Sequence, residues 1–494
     1  MSATALSAAV LVALTVASLS RTVRTRAAAA WLTRTPRRGA GTPVEPFVLL
    51  LPAFREQTLV RRTLAHFRDL DYPSELYRVV VITSERERDD RERLRGTLAD
   101  YAERLWNAGH TGGPVLTGHL AGDAVAELLD RRPHLTREEF LTAVRTAFEQ
   151  QPTTGALVAE AARGTGASAV HLVEAPRDRL GKAGQLQYAL DELDRVLADW
   201  PELDRCSYVM INDFDARPVR GALSAAAVAA GAGAPILQQA ALAAPMSAAH
   251  REVGWFALLD GQLHARWGLR AELAALLLDR RLARLPAGLD VVLRSSVHTV
   301  GNGLFLHRRG LVELGGLPEV VDDLALGWRA AAAGLPCEPV DSVVWYDAYH
   351  SREQASASRR FICRGHLDAF AELRKTPTAT SFSRGLQLLK IHTRLAHWAV
   401  GPFARSGALA LCALVLPWWT AVAVVVSYAL LVVDMTVVHR LWRWGGFLTG
   451  VPRSKRLAAI VLGPVALLWF GAGARAHLLA RALGRAAAPK KTER

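Results

Sequence analysis

A chain of 494 residues that is 51% hydrophobic and 21% charged can bury a large core, which excludes a peptide, a fibrous protein and a disordered chain. The net charge of +14 lies at the two ends: residues 1–44 hold six arginines and no acid, residues 435–494 hold eleven basic residues against Glu493, and the stretch between nets −2. Positive charge flanking apolar runs is a mark of membrane topology, so a membrane is the expected partner and nucleic acid is not.

Cys206, Cys337, Cys363 and Cys412 form no CxxC pair and no even spacing, which argues against a disulfide framework or a zinc site and for a reducing compartment. Six lysines accompany fifty-four arginines, and Lys182 is the only lysine before Lys375. A lysine kept where arginine is habitual suggests that a compact ammonium is wanted there.

From Ala3 to Leu19 the chain is apolar apart from Ser and Thr, and the first arginines follow it. A signal peptide would carry its basic residues in front, so residues 1–22 read as an uncleaved anchor and 23–45 as a basic juxtamembrane linker. A soluble domain is expected over 46–375. Phe47 to Leu51 reads as a buried strand, Gln57 to Leu70 as a helix and Tyr77 to Ile82 as a second strand. Residues 84–167 then look inserted: a charge run from Glu85 to Leu94 precedes helical patterns near Ala121 to Asp130, Thr136 to Gln150 and Ala156 to Ala162. The insert is expected to be a small helical subdomain, and the charge run a solvated helix face without chemistry. Strand Ser168 to Val173, helix Lys182 to Asp199 and strand Ser207 to Ile211 complete an α/β alternation. That alternation predicts a parallel sheet with ligands beyond the carboxyl ends of its strands.

Three motifs fall at or near such ends. In Ile211-Asn-Asp-Phe-Asp-Ala-Arg-Pro218 a strand runs into Asp213 and Asp215, two carboxylates on one side of an extended chain that suit a hard divalent cation against a diphosphate. Most Asp-x-Asp pairs are merely solvated turns. In Arg179-Leu-Gly-Lys-Ala-Gly-Gln-Leu-Gln187, Gly181 permits a tight turn and Lys182 opens a helix, an arrangement that favours phosphate oxygens or simply caps a loop. Asp322 and Asp323 begin an amphipathic helix, where acids either cap the first turn or act as a general base.

Towards the C-terminus, residues 376–398 carry apolar side chains at helical spacing among Arg and Lys, as expected of an amphipathic helix on a membrane surface or of an ordinary surface helix. Residues 399–480 read as a membrane region. The stretch from Ser406 to Val438, interrupted by Pro417, suits two helices with a tight turn, and Leu457 to Ala474 adds a run that is either spanning or re-entrant. Three or four spans are expected in all, followed by a basic tail over 481–494.

Together these segments resemble a membrane-bound family-2 inverting glycosyltransferase, the group with a GT-A nucleotide-sugar domain that includes cellulose, chitin, hyaluronan and poly-N-acetylglucosamine synthases and ceramide glucosyltransferases. Leu51-Pro-Ala-Phe-Arg-Glu56 resembles the family's opening Pro-x-x-x-Glu loop, and Gly181-Lys-Ala-Gly-Gln-Leu-Gln187 its Lys-Ala-Gly-x-Leu-Asn element. Asp213-Phe-Asp215 resembles its metal and nucleotide motif, Gly301-Asn-Gly303 its acceptor-side segment, and Asp322-Asp323 its Glu-Asp pair. The resemblance implies Mg²⁺ or Mn²⁺ on Asp215 and Asp213, and a donor held by Pro52, Glu56, Glu85, Lys182, Asp213, Arg360 and Phe361. It implies an acceptor side at Gly301, Asn302 and Gly303, and catalysis by Asp323 with Asp322 beside it. A nucleotide-sugar donor, a lipid, polyprenyl or polysaccharide acceptor, a cell-membrane location with a cytoplasmic catalytic domain, and accessory envelope proteins as partners are expected with it. Two departures stand out. Thr83-Ser84 and then Glu85 replace the carboxylate that often ends the second strand. The Gln-x-x-Arg-Trp motif of processive synthases appears only as Gln354-Ala-Ser-Ala-Ser-Arg-Arg-Phe361, which favours single addition over polymer synthesis.

Overall fold

The structure is a computed structural model that describes residues 2–34, 45–111, 119–120, 122–163, 170–246, 253–282, 292–293, 299–318, 322–377 and 379–483. Its contacts form two compact units, residues 43–220 and residues 1–42 with 221–492.

In the unit of residues 43–220, strands β1 (Phe47–Pro52), β2 (Tyr77–Ser84), β3 (Val170–Ala175) and β4 (Tyr208–Ile211) lie parallel in the order β3-β2-β1-β4. Phe47 to Leu51 and Val79 to Ile82 are buried, as continuous apolar runs with helices on both faces should be. Strand order reverses at β1, with β2 and β3 on one side and β4 on the other. The loops leaving β1 and β4 therefore open on one crevice, the switch point where doubly wound sheets bind ligands. A two-residue strand β5, Arg217–Pro218, follows. The expected helix over 182–199 is broken into Gly181–Asp191 and Leu193–Val196, and residues 168–169 of the expected third strand lie outside the described residues.

The insert is helical, with segments Arg86–Arg95, Leu98–Thr111, Gly122–Arg131, Arg137–Gln150 and Thr154–Arg163. Tyr101, Leu105, Val125, Phe140, Val144 and Phe148 give it a core of its own. One expectation fails here. The charge run is not a uniformly solvated face, because Glu87 is buried and its Oε1 accepts from Gln57 Nε2 at 2.8 Å and from Thr154 N at 2.8 Å and Oγ1 at 3.1 Å. One face of this helix turns towards the loop after β1, while Glu92, Arg93 and Arg95 stay in water.

In the other unit, β6 (Ile236–Ala244) pairs antiparallel with β7 (Leu304–His307) and parallel with β8 (Cys337–Asp347), with a register shift at Gln239/Ala240. Helix Trp255–Trp267 continues through a π-helical stretch, Gly268–Leu273, into Ala274–Leu282. Helices Asp322–Ala333, Arg352–Arg374 and Ser381–Ala399 share a core around Trp328, Leu373 and Ile391. The last of them buries Gln387, Ile391 and Leu395 while exposing Phe382 and Leu389, so one face belongs to the protein and another is free.

Among the described residues three helical stretches are long and apolar enough to cross a membrane: Ala3–Leu32, Pro417–Trp444 and Arg453–Ala482. A fourth arises if Ser381–Ala399 and Gly401–Val415, bent by 61°, count as one span. The first helix does not end at residue 22 but runs on through 23–32, since this alanine-rich stretch holds neither Gly nor Pro to stop it. Pro417 opens its helix at a position where a missing N–H costs nothing. Ser18 Oγ meets Ser427 Oγ at 3.3 Å and Thr22 Oγ1 donates to Leu430 O at 3.3 Å, joining the first helix to Pro417–Trp444 through short polar side chains.

Candidate active site

In the unit of residues 43–220, β4 ends at Ile211, and Asn212 N donates to Leu50 O, which fixes the motif against β1. Thr63 Oγ1 donates to Phe214 O at 2.9 Å, and Ala216 N to Asp213 O, so the backbone between the two acids is held from both sides. Phe214 is buried, and Asp213 and Asp215 are half-buried at the crevice. Lys182 Nζ donates to Asp213 Oδ1 at 2.7 Å, joining two of the sequence motifs. The lysine arrives there because Gly181, at φ 66°, turns the chain into the helix. Gly184 lets that helix approach the preceding loop, where a Cβ would lie 2.8 Å from the carbonyl carbon of Arg179.

The loop after β1 carries Arg55 at φ 61°, the one left-handed non-glycine residue among the described residues. Such backbone costs about 1–3 kcal/mol and persists only where neighbours impose it. Here they do: Arg55 Nη1 donates to Asp90 Oδ2 at 3.1 Å, and Glu56 N to Thr154 Oγ1 at 3.0 Å. Pro52 ends β1 in register with Ile82, and Glu56 is half-buried one residue beyond the strained position. Glu85 stands apart at the start of helix Arg86–Arg95, within 3.9 Å of Arg177. Burial raises the Glu87 carboxyl above the ordinary glutamate range, against the hydrogen bonds from Thr154 and the charge of Arg55.

In the other unit, Asp323 is half-buried and accepts from Gly301 N on Oδ2 at 2.8 Å and from Leu324 N on Oδ1 at 2.8 Å. Thr299 Oγ1 also donates to its carbonyl. Asp322 opens the same helix, and its side chain lies outside the described residues. Gly303 sits at φ 66°, where a Cβ would be 2.5 Å from Gln239 Oε1 and 2.8 Å from Val344 Cγ1, so only glycine fits. Asn302 is buried behind it.

Arg360 is exposed on helix Arg352–Arg374, whereas the adjacent Arg359 is buried in an ion pair with Asp260. Phe361 packs against the cluster that holds Leu324 and Trp328. Gln354 serves the start of this helix: its N–H bonds Ser351 Oγ and its Oε1 accepts from His350 N at 3.1 Å.

Sequence reasoning missed three residues. Gln238 and Gln239 are buried in β6 and hold the segment of Val300 to Gly303. Gln238 Oε1 accepts from Val300 N at 2.9 Å, its Nε2 donates to Asn302 O at 2.9 Å, and Gln239 N donates to Gly303 O. Two adjacent amides in an otherwise apolar strand were the available signal. Glu272 had none: burial pushes its carboxyl up to about 7, Arg394 opposes the rise, and Asp323 adds to it.

No group of three or more His, Cys, Asp or Glu side chains suited to a metal lies among the described residues. Asp213 and Asp215 nevertheless fit a Mg²⁺- or Mn²⁺-type ion, since such ions take one or two protein carboxylates and complete their shell with water and substrate phosphates.

No family model matches the chain, and no curated protein matches it. Among solved structures, a mannosyltransferase from Pyrobaculum calidifontis in complex with GDP-Man and Mn²⁺ is 18% identical with a TM-score of 0.40, over 93% of this chain and 98% of its own. S. aureus TarS 1–349 in complex with UDP-GlcNAc is 10% identical with a TM-score of 0.36, over 89% of this chain and 92% of its own. At these TM-scores the likenesses settle neither topology nor chemistry.

Proposed function

We propose that this chain is an inverting, metal-dependent glycosyltransferase of GT-A type that moves a sugar from a nucleotide-sugar, UDP-linked in the first instance, to a membrane-associated acceptor. The observation that carries the reading is the Lys182–Asp213 pair beside Asp215 at the switch point of a parallel sheet, where an ammonium, a helix N-terminus and two carboxylates converge. On this reading Lys182 and Arg360 bind the diphosphate, Asp213 orients the nucleoside, and Pro52, Glu56, Glu85 and Phe361 line the donor site. A divalent ion on Asp215 and Asp213 would supply neutralisation of the charge that develops on the leaving nucleoside diphosphate. Asp323 takes the proton of the acceptor hydroxyl as that oxygen bonds to the anomeric carbon and the bond to the diphosphate breaks. One displacement inverts the centre.

The reading also takes the chain as a multi-pass protein of the cell membrane with its catalytic part in the cytoplasm, supported by three long apolar helices and by the arginines that follow the first apolar run. Gln354, occupied in capping its helix, supports addition of one or a few sugars rather than processive synthesis. The test offers membranes containing the chain a panel of labelled UDP-, GDP- and TDP-sugars, with and without EDTA, and follows label into lipid extracts. Label in lipid that disappears with EDTA and in Asp215→Asn supports the proposal. No transfer from any donor refutes it, and label at polymer mass that resists lipid extraction replaces single addition by polymer synthesis.

A further inference from the structure

Charge is unbalanced where the apolar helices meet the rest of their unit. Arg266 is buried and paired with Asp434 of helix Pro417–Trp444, Nε to Oδ2 at 2.6 Å. Arg394 donates to Ala271 O at 3.1 Å and has the Glu272 carboxyl in its field. Among the described residues Asp434 and Glu272 are the acids that act on these arginines, yet three more guanidiniums share the place. Arg270 lies in the π-helical stretch, over the Trp267 ring at 5.2 Å, with its Nε buried and without a partner. Its surroundings hold Arg266, Arg21 and Arg405, and among the described residues Asp434 is the acid acting on it. Arg21, on the first helix, feels Arg405, Arg266 and Arg24. Arg405, at the start of Gly401–Val415, has the ring of His397 as its partner among the described residues, Nη2 to Nε2 at 2.9 Å. Among the described residues none of these three arginines has a carboxylate within ion-pair distance.

Arg21, Arg270 and Arg405 are each partly withdrawn from water, and like charges gathered in that way repel, so an arrangement of this kind is costly unless an anion completes it. The arginines of this cluster also mark the ends of apolar runs: Arg21 follows the run that begins at Ala3, and Arg405 precedes the run that begins at Ser406. An anion resident at that level is the headgroup of a lipid whose tails lie along the helices. Guanidiniums are the side chains best matched to phosphate oxygens, which they bind in forks. Burial and the neighbouring arginines also lower the pKa of Arg270 well below its usual range, as expected of a cation awaiting a counter-charge.

We propose that Arg21, Arg270 and Arg405 form a binding site for the phosphate headgroup of an anionic membrane lipid. The site is independent of sugar transfer and stands even if the chain moves no sugar. Its test reads lipid retention and not turnover. The full chain is reconstituted in phosphatidylcholine nanodiscs with or without phosphatidic acid, extracted into neutral detergent, and its bound lipid counted by native mass spectrometry. Wild-type protein is expected to keep phosphatidic acid, Arg270→Gln and Arg405→Gln to lose at least about tenfold in retention, and Arg270→Lys to keep most of it. Arg453→Gln, at an exposed position away from the cluster, should change nothing. Because the glutamine variants relieve repulsion, they should melt higher than wild type in pure phosphatidylcholine and gain less from phosphatidic acid. Retention equal in Arg270→Gln and wild type would overturn the site. So would variants that melt lower in neutral lipid, which would make the arginines structural. Displacement of the lipid by inorganic phosphate at comparable concentration would overturn the lipid as the source of the anion.

Discussion

Asp213 and Asp323 are both half-buried carboxylates in short motifs, yet Asp213 is bonded by a side chain, Lys182, and Asp323 by the backbone N–H groups of Gly301 and Leu324. A lysine has four rotatable bonds and can swing from its carboxylate to an arriving phosphate, whereas a backbone N–H cannot leave without moving the chain. The Lys182–Asp213 pair is thus built to exchange partners and the segment joining Gly301 to Asp323 to hold a shape. Substitutions should separate the two. Lys182→Met is expected to cut turnover by on the order of 10²–10³ through loss of charge at the leaving group, with little change in melting temperature. Asp323→Asn should abolish turnover and also cost about 1–3 kcal/mol, because its amide turns an N–H towards one of two backbone donors. Calorimetry beside a donor-turnover assay measures both, and equal stability losses in the two variants would break the comparison.

Glycines sharpen it. Gly181 and Gly303 share φ 66°, but a Cβ at Gly181 meets open space and one at Gly303 meets Gln239 and Val344. Gly181→Ala should cost about 1–2 kcal/mol from backbone conformation alone. Gly303→Ala adds a steric clash and should cost about 4 kcal/mol in denaturant titrations.

This contrast also explains what was legible in the sequence. The placement of Asp213, Asp215 and Lys182 is legible in the sequence because each stands next to a strand end or helix start, and the local pattern contains that geometry. The segment of Val300 to Gly303 is held by Gln238 and Gln239, some sixty residues upstream in β6, and no local pattern links a strand amide to a distant loop. The charge run misled for a similar reason: Glu87 is one acid among many by composition, and only tertiary placement distinguishes it. Glu272 is remote from every motif and is brought towards Asp323 by the fold alone.

Acid should act on the two units with opposite sign at two groups. His366, packed edge-on against Trp328 behind the helix of Asp323, is lowered to about 4 from 6.5, chiefly by burial. As pH falls through 6.5 the unfolded chain takes up a proton that the folded one refuses, so stability is lost between pH 6.5 and 4. At 1.36 kcal/mol per unit the loss reaches about 3 kcal/mol. His366→Gln should flatten that part of the pH profile relative to wild type, read as melting temperature at stepped pH.

Glu87 runs the other way, and Glu87→Gln should have the smallest effect of these variants. Its folded pKa is raised above 4.5 by burial, so the fold holds the proton more tightly than the unfolded chain does. Stability from this group is greatest below 4.5 and is lost as pH rises through the folded value. Glu87→Gln keeps an oxygen for Gln57 and for the N–H and hydroxyl of Thr154, and removes the buried charge. At pH 7 it should lie within about 1 kcal/mol of wild type, or slightly above it. Glu87→Ala leaves those donors unsatisfied and should lose about 2–4 kcal/mol. Thr154 also fixes Glu56 N, and so the loop at Arg55, so Glu87→Ala should raise KM for the donor while Glu87→Gln leaves it unchanged. An unchanged KM in Glu87→Ala would mean that the insert supports the fold of its unit but takes no part in shaping the donor loop.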